Sequence, residues 1–179
     1  MDDSARGYTL LELLFSLSLL ALLVSLGLSR VPGSQARAES KAFHSTVTRS
    51  LAMARSQAVA SNERITICGT RDGVNCERNW VHSVQILVFA DRDRNRRYSP
   101  GDLLHRQVLL PLNHGNAYWR GSAGRKYQRF TANGRALEFG RYTYCPLSGE
   151  GKELRQLVVN RVGRSYLHWE TPGKPDICN

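Results

Sequence analysis

The stretch GYTLLELLFSLSLLALLVSLGL, residues 7–28, decides how the rest of this chain is organised. From Tyr8 to Leu28 it carries one charged residue, Glu12, and no later segment is as apolar. As a helix it is roughly 30 Å long, because each helical residue advances about 1.5 Å, and this length matches a bilayer core. A carboxylate in such a helix is costly, so we expect Glu12 to have a partner.

The residues before this helix, MDDSARG, do not look like a secretory signal. They are few and mostly acidic, and no Ala-x-Ala cleavage site follows the apolar run. We therefore expect residues 1–7 to be a leader and residues 8–28 to be retained as a transmembrane helix.

A second helical pattern, residues 29–62, follows the apolar run. Pro32 and Gly33 are expected to kink or interrupt the helix. Apolar side chains then recur at steps of four and three, which predicts a helix face that packs on a sheet. They are Phe43, Val47, Leu51, Ala54 and Ala58. Asn62 is predicted to end the helix.

Residues 63–179 are predicted to form a β-rich head, because short β-branched and alternating segments are separated by Gly, Pro and Asn. The predicted strands are 64–68, 80–90, 103–112, 129–131, 136–139, 141–145, 154–160 and 164–169. The most apolar of these, 80–90, is expected to be central in its sheet. Residues 113–127 are predicted to be a polar loop that includes Trp119. A long helix followed by antiparallel strands predicts an α+β fold in which the helix covers one sheet face.

The cysteines predict disulfide bonds. They are Cys68, Cys76, Cys145 and Cys178, without a C-x-x-C pair and without metal-ligand spacing to the histidines. In an oxidising space an even number of cysteines is typical of disulfides, and four cysteines allow three pairings. We prefer Cys68–Cys76, which closes a short loop, and Cys145–Cys178, which ties the carboxyl-terminal tail to a strand.

Residues 91–102, DRDRNRRYSPGD, have part of the spacing of a calcium-binding loop. At ligand positions 1, 3, 5, 9 and 12 stand Asp91, Asp93, Asn95, Ser99 and Asp102. Position 6, where such loops have Gly, is Arg96, and four arginines share the loop. We therefore expect a turn in which Asp and Asn side chains cap backbone groups, and no metal site.

Catalytic signatures are missing from the sequence. It contains no G-x-S-x-G, no H-E-x-x-H and no Gly-rich phosphate loop, and its five histidines are scattered. We therefore expect neither an enzyme nor a cofactor.

The chain is strongly basic, with a formal net charge of +10. A basic exported domain favours nucleic acid, anionic lipid or acidic proteins as partners. The basic residues form three groups: Arg92, Arg94, Arg96 and Arg97; Arg120, Arg125, Lys126 and Arg129; and Arg155, Arg161, Arg164 and Lys174. Arginines suit phosphate groups, and nearby aromatic side chains are candidates for stacking on bases. Those aromatic residues are Trp119, Tyr127, Tyr166 and Trp169.

The amino-terminal arrangement resembles the class III signal of type IV prepilins and type II secretion pseudopilins. In both, a short polar leader ends in Gly, and a hydrophobic helix follows with Glu five residues on, here Gly7 and Glu12. The resemblance implies cleavage after Gly7 by a prepilin peptidase and methylation of the new amino terminus on Tyr8. It also implies that Glu12 pairs with the amine of a neighbouring subunit. The chain departs from the family in having Tyr8 instead of Phe and a less basic leader.

Later motifs resemble the GspH/FimT/FimU branch of minor pilins and pseudopilins. In order they are SQAVASNERITICG, FADRDRNRRYSPGDLL, WRG, FTANGR and LVVNRVGR. The resemblance runs from Gly7 to about Leu167. It implies a helix on β-sheets, low copy number and a place at or near the filament tip.

The leading expectation is therefore a minor pilin that caps or primes a type IV pilus. Its membrane would be the inner membrane, with the head in the periplasm. Its partners would be other major and minor pilins, the prepilin peptidase and inner-membrane lipid. The alternatives are a minor pseudopilin of type II secretion and a periplasmic domain on an ordinary signal anchor.

A third alternative is a FimT-like pilin that binds DNA during natural transformation. Such pilins carry a carboxyl-terminal G-R-x-R element, and residues 163–166 here are Gly-Arg-Ser-Tyr. The second Arg is thus replaced by Tyr166. The candidate DNA-binding residues are Arg161, Arg164 and Lys174.

Overall fold

The computed structural model of the chain describes residues 9–28, 32–110, 112–147, 155–169 and 178. Gly7, Tyr8 and Lys174 lie outside the described residues. The helices are α1 Leu10–Leu28 and α2 Pro32–Ser61, with a 3-10 helix at Ser122–Gly124. The strands are β1 Ile65–Thr70, β2 Gln85–Ala90, β3 Leu103–Leu109, β4 Gly115–Gly121, β5 Gln128–Phe130, β6 Gly140–Pro146, β7 Arg155–Val159 and β8 Ser165–Trp169.

The chain divides into two compact units, Met1–Gln35 and Ala36–Asn179. The first unit contains α1, in which the described side chains from Leu10 to Ser25 are all exposed. Within the described parts of the chain, we find no helix with both the length and the apolar character needed to cross a membrane.

The long helix α2 starts and stops at the residues that its sequence favours. Pro32 is its first residue, a position that tolerates the missing N–H group of proline. The helix ends at Ser61, and Asn62 follows in the left-handed conformation with φ 57°. The predicted apolar face is confirmed, since each of its side chains is buried. These are Phe43, Val47, Leu51, Ala54 and Ala58.

The strands form two four-stranded antiparallel sheets, which confirms the α+β prediction. The first sheet has the order β3-β2-β1-β5 and the second has the order β4-β6-β7-β8. β2 lies inside the first sheet, as its apolar sequence predicted. β1 is buried along its whole length and β2 along nearly all of it, so both faces of the first sheet are covered at these two strands.

Two strand predictions are wrong. The strand predicted from Trp80 begins only at Gln85, because Trp80 occupies a turn with φ 65° and is buried there by tertiary packing. Residues 136–139 form only a single bridge, Phe130 with Ala136, beyond the turn at Asn133 and Gly134.

The predicted polar loop 113–127 is also wrong over half its length. Residues 115–121 form β4, which pairs along its whole length with β6. Gly115, Ala117 and Trp119 are buried on alternate positions of this strand. Two of these buried residues are small, which is why the hydrophobic alternation is weak in the sequence.

An aromatic cluster centred on Tyr142 connects the two sheets. The Tyr142 ring stacks on Trp119 at 4.3 Å between centroids and meets the edge of Trp80 at 4.9 Å. Its hydroxyl donates a 2.8 Å hydrogen bond to the buried side-chain oxygen of Gln128 on β5. Burial raises the pKa of Tyr142 well above its ordinary value. This neutral hydroxyl therefore holds β6 against β5 in the core.

Candidate functional site

The amino-terminal helix α1 begins with a hydroxyl cap. The backbone N–H of Glu12 lies 3.3 Å from the Thr9 hydroxyl oxygen and 3.0 Å from the Thr9 carbonyl oxygen. Thr9-Leu10-Leu11-Glu12 matches the T-x-x-E pattern of a capping box. Glu12 therefore lies in the first helical turn, where a negative charge is favoured by the helix dipole.

The surface of α1 is apolar around its whole circumference. Its eleven large apolar side chains from Leu10 to Val24 are each more than half exposed. A helix that is hydrophobic on every side belongs in a protein core or in lipid.

Both disulfides have the pairing preferred from the sequence. The structure joins Cys68 to Cys76 and Cys145 to Cys178. The first closes the loop after β1, and the second fixes residue 178 beside β6.

A cavity of about 300 Å³ brings basic residues together from three separate loops. We call it the basic pocket, and its cationic residues are Arg78, Arg96, Arg97, Arg125 and Lys126. The described lining residues include no carboxylate. The buried hydroxyl of Tyr127, also in the lining, has no hydrogen-bond partner among the described residues. Such a concave, positively charged surface favours anionic ligands.

The basic pocket was only partly foreseen. Sequence grouping put Arg96 and Arg97 in one cluster and Arg125 and Lys126 in another, and it missed Arg78. These residues meet because the loops after β1 and β2 and the segment after the 3-10 helix line the same cavity. No local sequence signal reports that contact.

The candidate DNA-binding arginines Arg161 and Arg164 lie on the turn between β7 and β8. Both are exposed, and the Arg161 guanidinium lies 4.7 Å from the centroid of the Phe139 ring. Gly163 has φ 79°, and a Cβ there would overlap the carbonyl oxygen of Gly134. The turn is therefore packed closely against the neighbouring turn at Gly134, and it presents its two arginines to solvent.

The prediction of base stacking is wrong for two of the four aromatic side chains. Trp119 and Tyr127 are buried in the core, so neither can stack on a base. Tyr166 is 50% exposed and keeps an accessible ring.

Two arginines of the predicted basic groups are engaged in ion pairs. Arg92 binds Glu63 at 3.0 Å, and Arg129 binds the buried carboxylate of Glu138. These two guanidinium groups are therefore less available to an external phosphate than are the residues of the basic pocket.

The loop of residues 91–102 has the capped turns that the sequence predicted. Asp93 accepts the backbone N–H of Asn95 at 3.0 Å, and Asp102 accepts those of Arg92 and Ser99, both at 2.9 Å. Arg94 and Arg96 are left-handed, with φ 61° and φ 69°. The same loop also brings three carboxylates together.

Helix α2 packed on two antiparallel sheets, with a separate apolar helix before it, defines a pilin-like fold. The model of the family described as "Type II transport protein GspH" matches residues 45–163, and the prokaryotic N-terminal methylation motif matches residues 3–28. The chain therefore belongs to the GspH family of minor pilins and pseudopilins.

Solved structures show the same fold. The type IV minor pilin FimU of Pseudomonas aeruginosa is 20% identical with a TM-score of 0.56, over 80% of this chain and 97% of that one. The minor pseudopilin EpsH from the type 2 secretion system of Vibrio cholerae is 14% identical with a TM-score of 0.50, over 76% and 99%. A search of curated proteins finds no significant match. The proteins that the chain resembles are filament subunits, not enzymes.

Proposed function

We propose that the chain is a minor pilin that is inserted in the inner membrane, cleaved after Gly7 and built into a type IV pilus. The observation that carries this proposal is the surface of α1, which is apolar on every side and exposed. Lipid would surround this helix before assembly, and the helices of other pilins would surround it afterwards. The two disulfides of the head suit an oxidising periplasm.

Glu12 has a specific part in this proposal. An ion without a partner in a low-dielectric filament core costs several kcal/mol. The methylated amine of Tyr8 on a neighbouring subunit would remove that cost and would select the axial register of the incoming helix. The Thr9 cap supports this role, because it fixes Glu12 one turn from the processed amino terminus.

Replacing Glu12 by Gln separates charge pairing from helix capping. Gln can replace Glu in a capping box, and the Thr9 hydroxyl still receives the backbone N–H of residue 12. We expect the Glu12→Gln protein to be stable and processed in cells. Its amount in sheared filaments should be at least tenfold lower than that of the wild type. Ser16→Ala, one turn further along α1, is the control and should assemble normally. Normal assembly of Glu12→Gln would refute the charge-pair role.

We propose a type IV pilus as the filament and its tip as the position, on the FimT/FimU-like order of motifs in the sequence. Deleting the gene should then reduce pilus number while leaving type II secretion intact. A secretion defect with normal pili would instead assign the chain to a pseudopilus.

DNA binding is a second candidate function, supported by the exposed pair Arg161 and Arg164 and by the basic pocket. Fluorescence anisotropy with a labelled duplex should show affinity that falls steeply with salt. The charge reversal Arg161→Glu with Arg164→Glu should weaken binding at least tenfold and block DNA uptake while pili still form. The control Arg49→Glu with Arg71→Glu changes the net charge equally. Equal losses in both pairs would indicate nonspecific attraction only.

A further inference from the structure

The first residue after β2, Asp91, carries its carboxylate into the protein interior. It is only 6% exposed, and its Oδ2 accepts the backbone N–H of Arg96 at 3.1 Å. Its other oxygen, Oδ1, is buried and accepts no hydrogen bond from any described residue. A buried carboxylate oxygen without a donor is costly, so this atom calls for a positively charged partner.

Two more carboxylates face the same point. One oxygen each from Asp91, Asp93 and Asp102 lie within 4.8 Å of one another. Three negative charges at such separations repel one another strongly unless a cation lies between them. Among the described residues, no arginine of this loop forms an ion pair with the three carboxylates, since Arg92 binds Glu63 instead.

Two neutral polar side chains contact the same cluster. The Ser99 hydroxyl lies 3.1 Å from an Asp93 oxygen and 2.9 Å from an Asp102 oxygen, and Asn95 Nδ2 donates to Asp93 at 2.6 Å. The spacing of these residues is that of ligand positions 1, 3, 5, 9 and 12 in a twelve-residue calcium loop. The missing Gly at position 6 is no obstacle, because Arg96 itself adopts the left-handed turn with φ 69°.

We propose that Asp91, Asp93 and Asp102 bind one Ca²⁺ ion, with the Ser99 hydroxyl adding a neutral oxygen ligand. Ca²⁺ fits better than softer metals because the donors are all oxygens, and better than Mg²⁺ because a flexible loop with many donors suits its higher coordination number. The ion joins both ends of the loop, Asp91 and Asp102. It thereby fixes Arg96 and Arg97 at the rim of the basic pocket.

Isothermal titration of the metal-free full chain in nonionic detergent with CaCl₂ tests this site. We expect one ion per chain, with a Kd of about 10⁻⁴ to 10⁻³ M as in extracellular calcium modules. Asp93→Asn, at an exposed position, should weaken binding at least tenfold. Asp72→Asn is the control, because Asp72 caps a similar turn by accepting hydrogen bonds from Val74 and Asn75 but belongs to no carboxylate cluster among the described residues. The proposal would be overturned if no saturable binding occurred below about 10 mM Ca²⁺, which is ten times the largest Kd expected. It would also be overturned if Asp93→Asn bound Ca²⁺ as tightly as the wild type.

Thermal unfolding of Asp91→Asn is a second test, because the difference in melting temperature between variant and wild type should depend on calcium. In EDTA this variant should melt above the wild type, because it removes one of three repelling charges. In 10 mM CaCl₂, about ten times the largest Kd expected, the melting temperature of the wild type should rise by several degrees. That of the variant should hardly change. Equal calcium shifts for the variant and the wild type, or no shift for the wild type, would contradict a site at Asp91.

Discussion

The Tyr144 hydroxyl donates a hydrogen bond to Glu39 Oε1 at 2.9 Å and so ties β6 to α2. The same carboxylate accepts the backbone N–H groups of Asn113 and His114, both at 3.0 Å. Burial, followed by the Glu39 carboxylate, raises the pKa of Tyr144, which keeps the hydroxyl protonated as a donor. Glu39 thus anchors the long helix to the start of β4 and to β6 at once.

Glu39→Ala should lower the free energy of unfolding by about 2–3 kcal/mol, because it removes an acceptor shared by three donors. The control is Glu63→Ala, which removes one carboxylate from the partly exposed pair with Arg92 and should cost at most about 1 kcal/mol. Urea denaturation followed by the fluorescence of the buried Trp80 and Trp119 compares the two variants. Equal effects would show that Glu39 is no more than a surface carboxylate.

Gly163→Ala should destabilise the turn between β7 and β8 through two effects. Its φ of 79° is unfavourable for any residue with a Cβ, and that Cβ would overlap the carbonyl oxygen of Gly134. We expect a loss of about 2–4 kcal/mol. Gly124→Ala, with φ 62° and no atom within 4 Å of its Cβ position, isolates the conformational effect and should cost about 1 kcal/mol. Similar losses for both variants would mean that the contact with Gly134 relaxes.

His44 should make the head less stable in mild acid. Burial is the main cause of its lowered pKa, and its ring nitrogens lie 2.7 Å from the Ser40 carbonyl oxygen and 3.0 Å from that of Arg155. The folded state therefore binds this proton more weakly than the unfolded state does. The contribution of neutral His44 to the free energy of unfolding is complete above the ordinary histidine pKa of about 6.5. It is lost as the pH falls towards the lowered pKa of His44 in the folded state.

Urea midpoints measured in EDTA between about pH 7.5 and pH 5, which bracket the ordinary histidine pKa, test the role of His44. The wild type should lose stability over this range, and His44→Gln should lose much less. His82→Gln, at an exposed position, should follow the wild type. The pKa of the Asp72 carboxylate is lowered chiefly by the Asn75 side chain, so its protonation changes the stability only at a more acidic pH. Parallel curves for wild type and His44→Gln would exclude His44 as the cause.

The two disulfides should differ in their contribution to stability. The Cys145–Cys178 bond spans 33 residues and the Cys68–Cys76 bond spans 8. Loop-closure entropy predicts about 3.7 kcal/mol for the longer loop and about 2.5 kcal/mol for the shorter one. Denaturation of the two double Cys→Ser variants measures this order. A larger loss from Cys68 and Cys76 would show that packing of those buried sulfurs outweighs the entropy of the unfolded chain.

Local patterns predicted those parts of the fold that depend on local physics. The buried face of α2 was predicted correctly because a periodicity of 3.6 residues is visible within one segment. The end of the helix at Asn62 was predicted correctly because asparagine has a local preference for the left-handed conformation. The predicted strands 154–160 and 164–169 were nearly correct for the same reason, since Gly163 between them adopts a positive φ.

Tertiary contacts account for what the sequence did not predict. Trp80 continues an apolar run but is buried against Tyr142 and does not extend β2. β4 was missed because Gly115 and Ala117 carry little hydrophobic signal on its buried face. The basic pocket joins loops far apart in the chain, and the ion pair of Arg129 with Glu138 likewise depends on the fold.

The central claim is that α1 is processed and packs in a filament. Mass spectrometry of the chain recovered from sheared, purified filaments tests it most directly. We predict an amino-terminal peptide that begins with N-methylated Tyr8. A chain that still begins at Met1 and is found only in the membrane fraction would contradict the account.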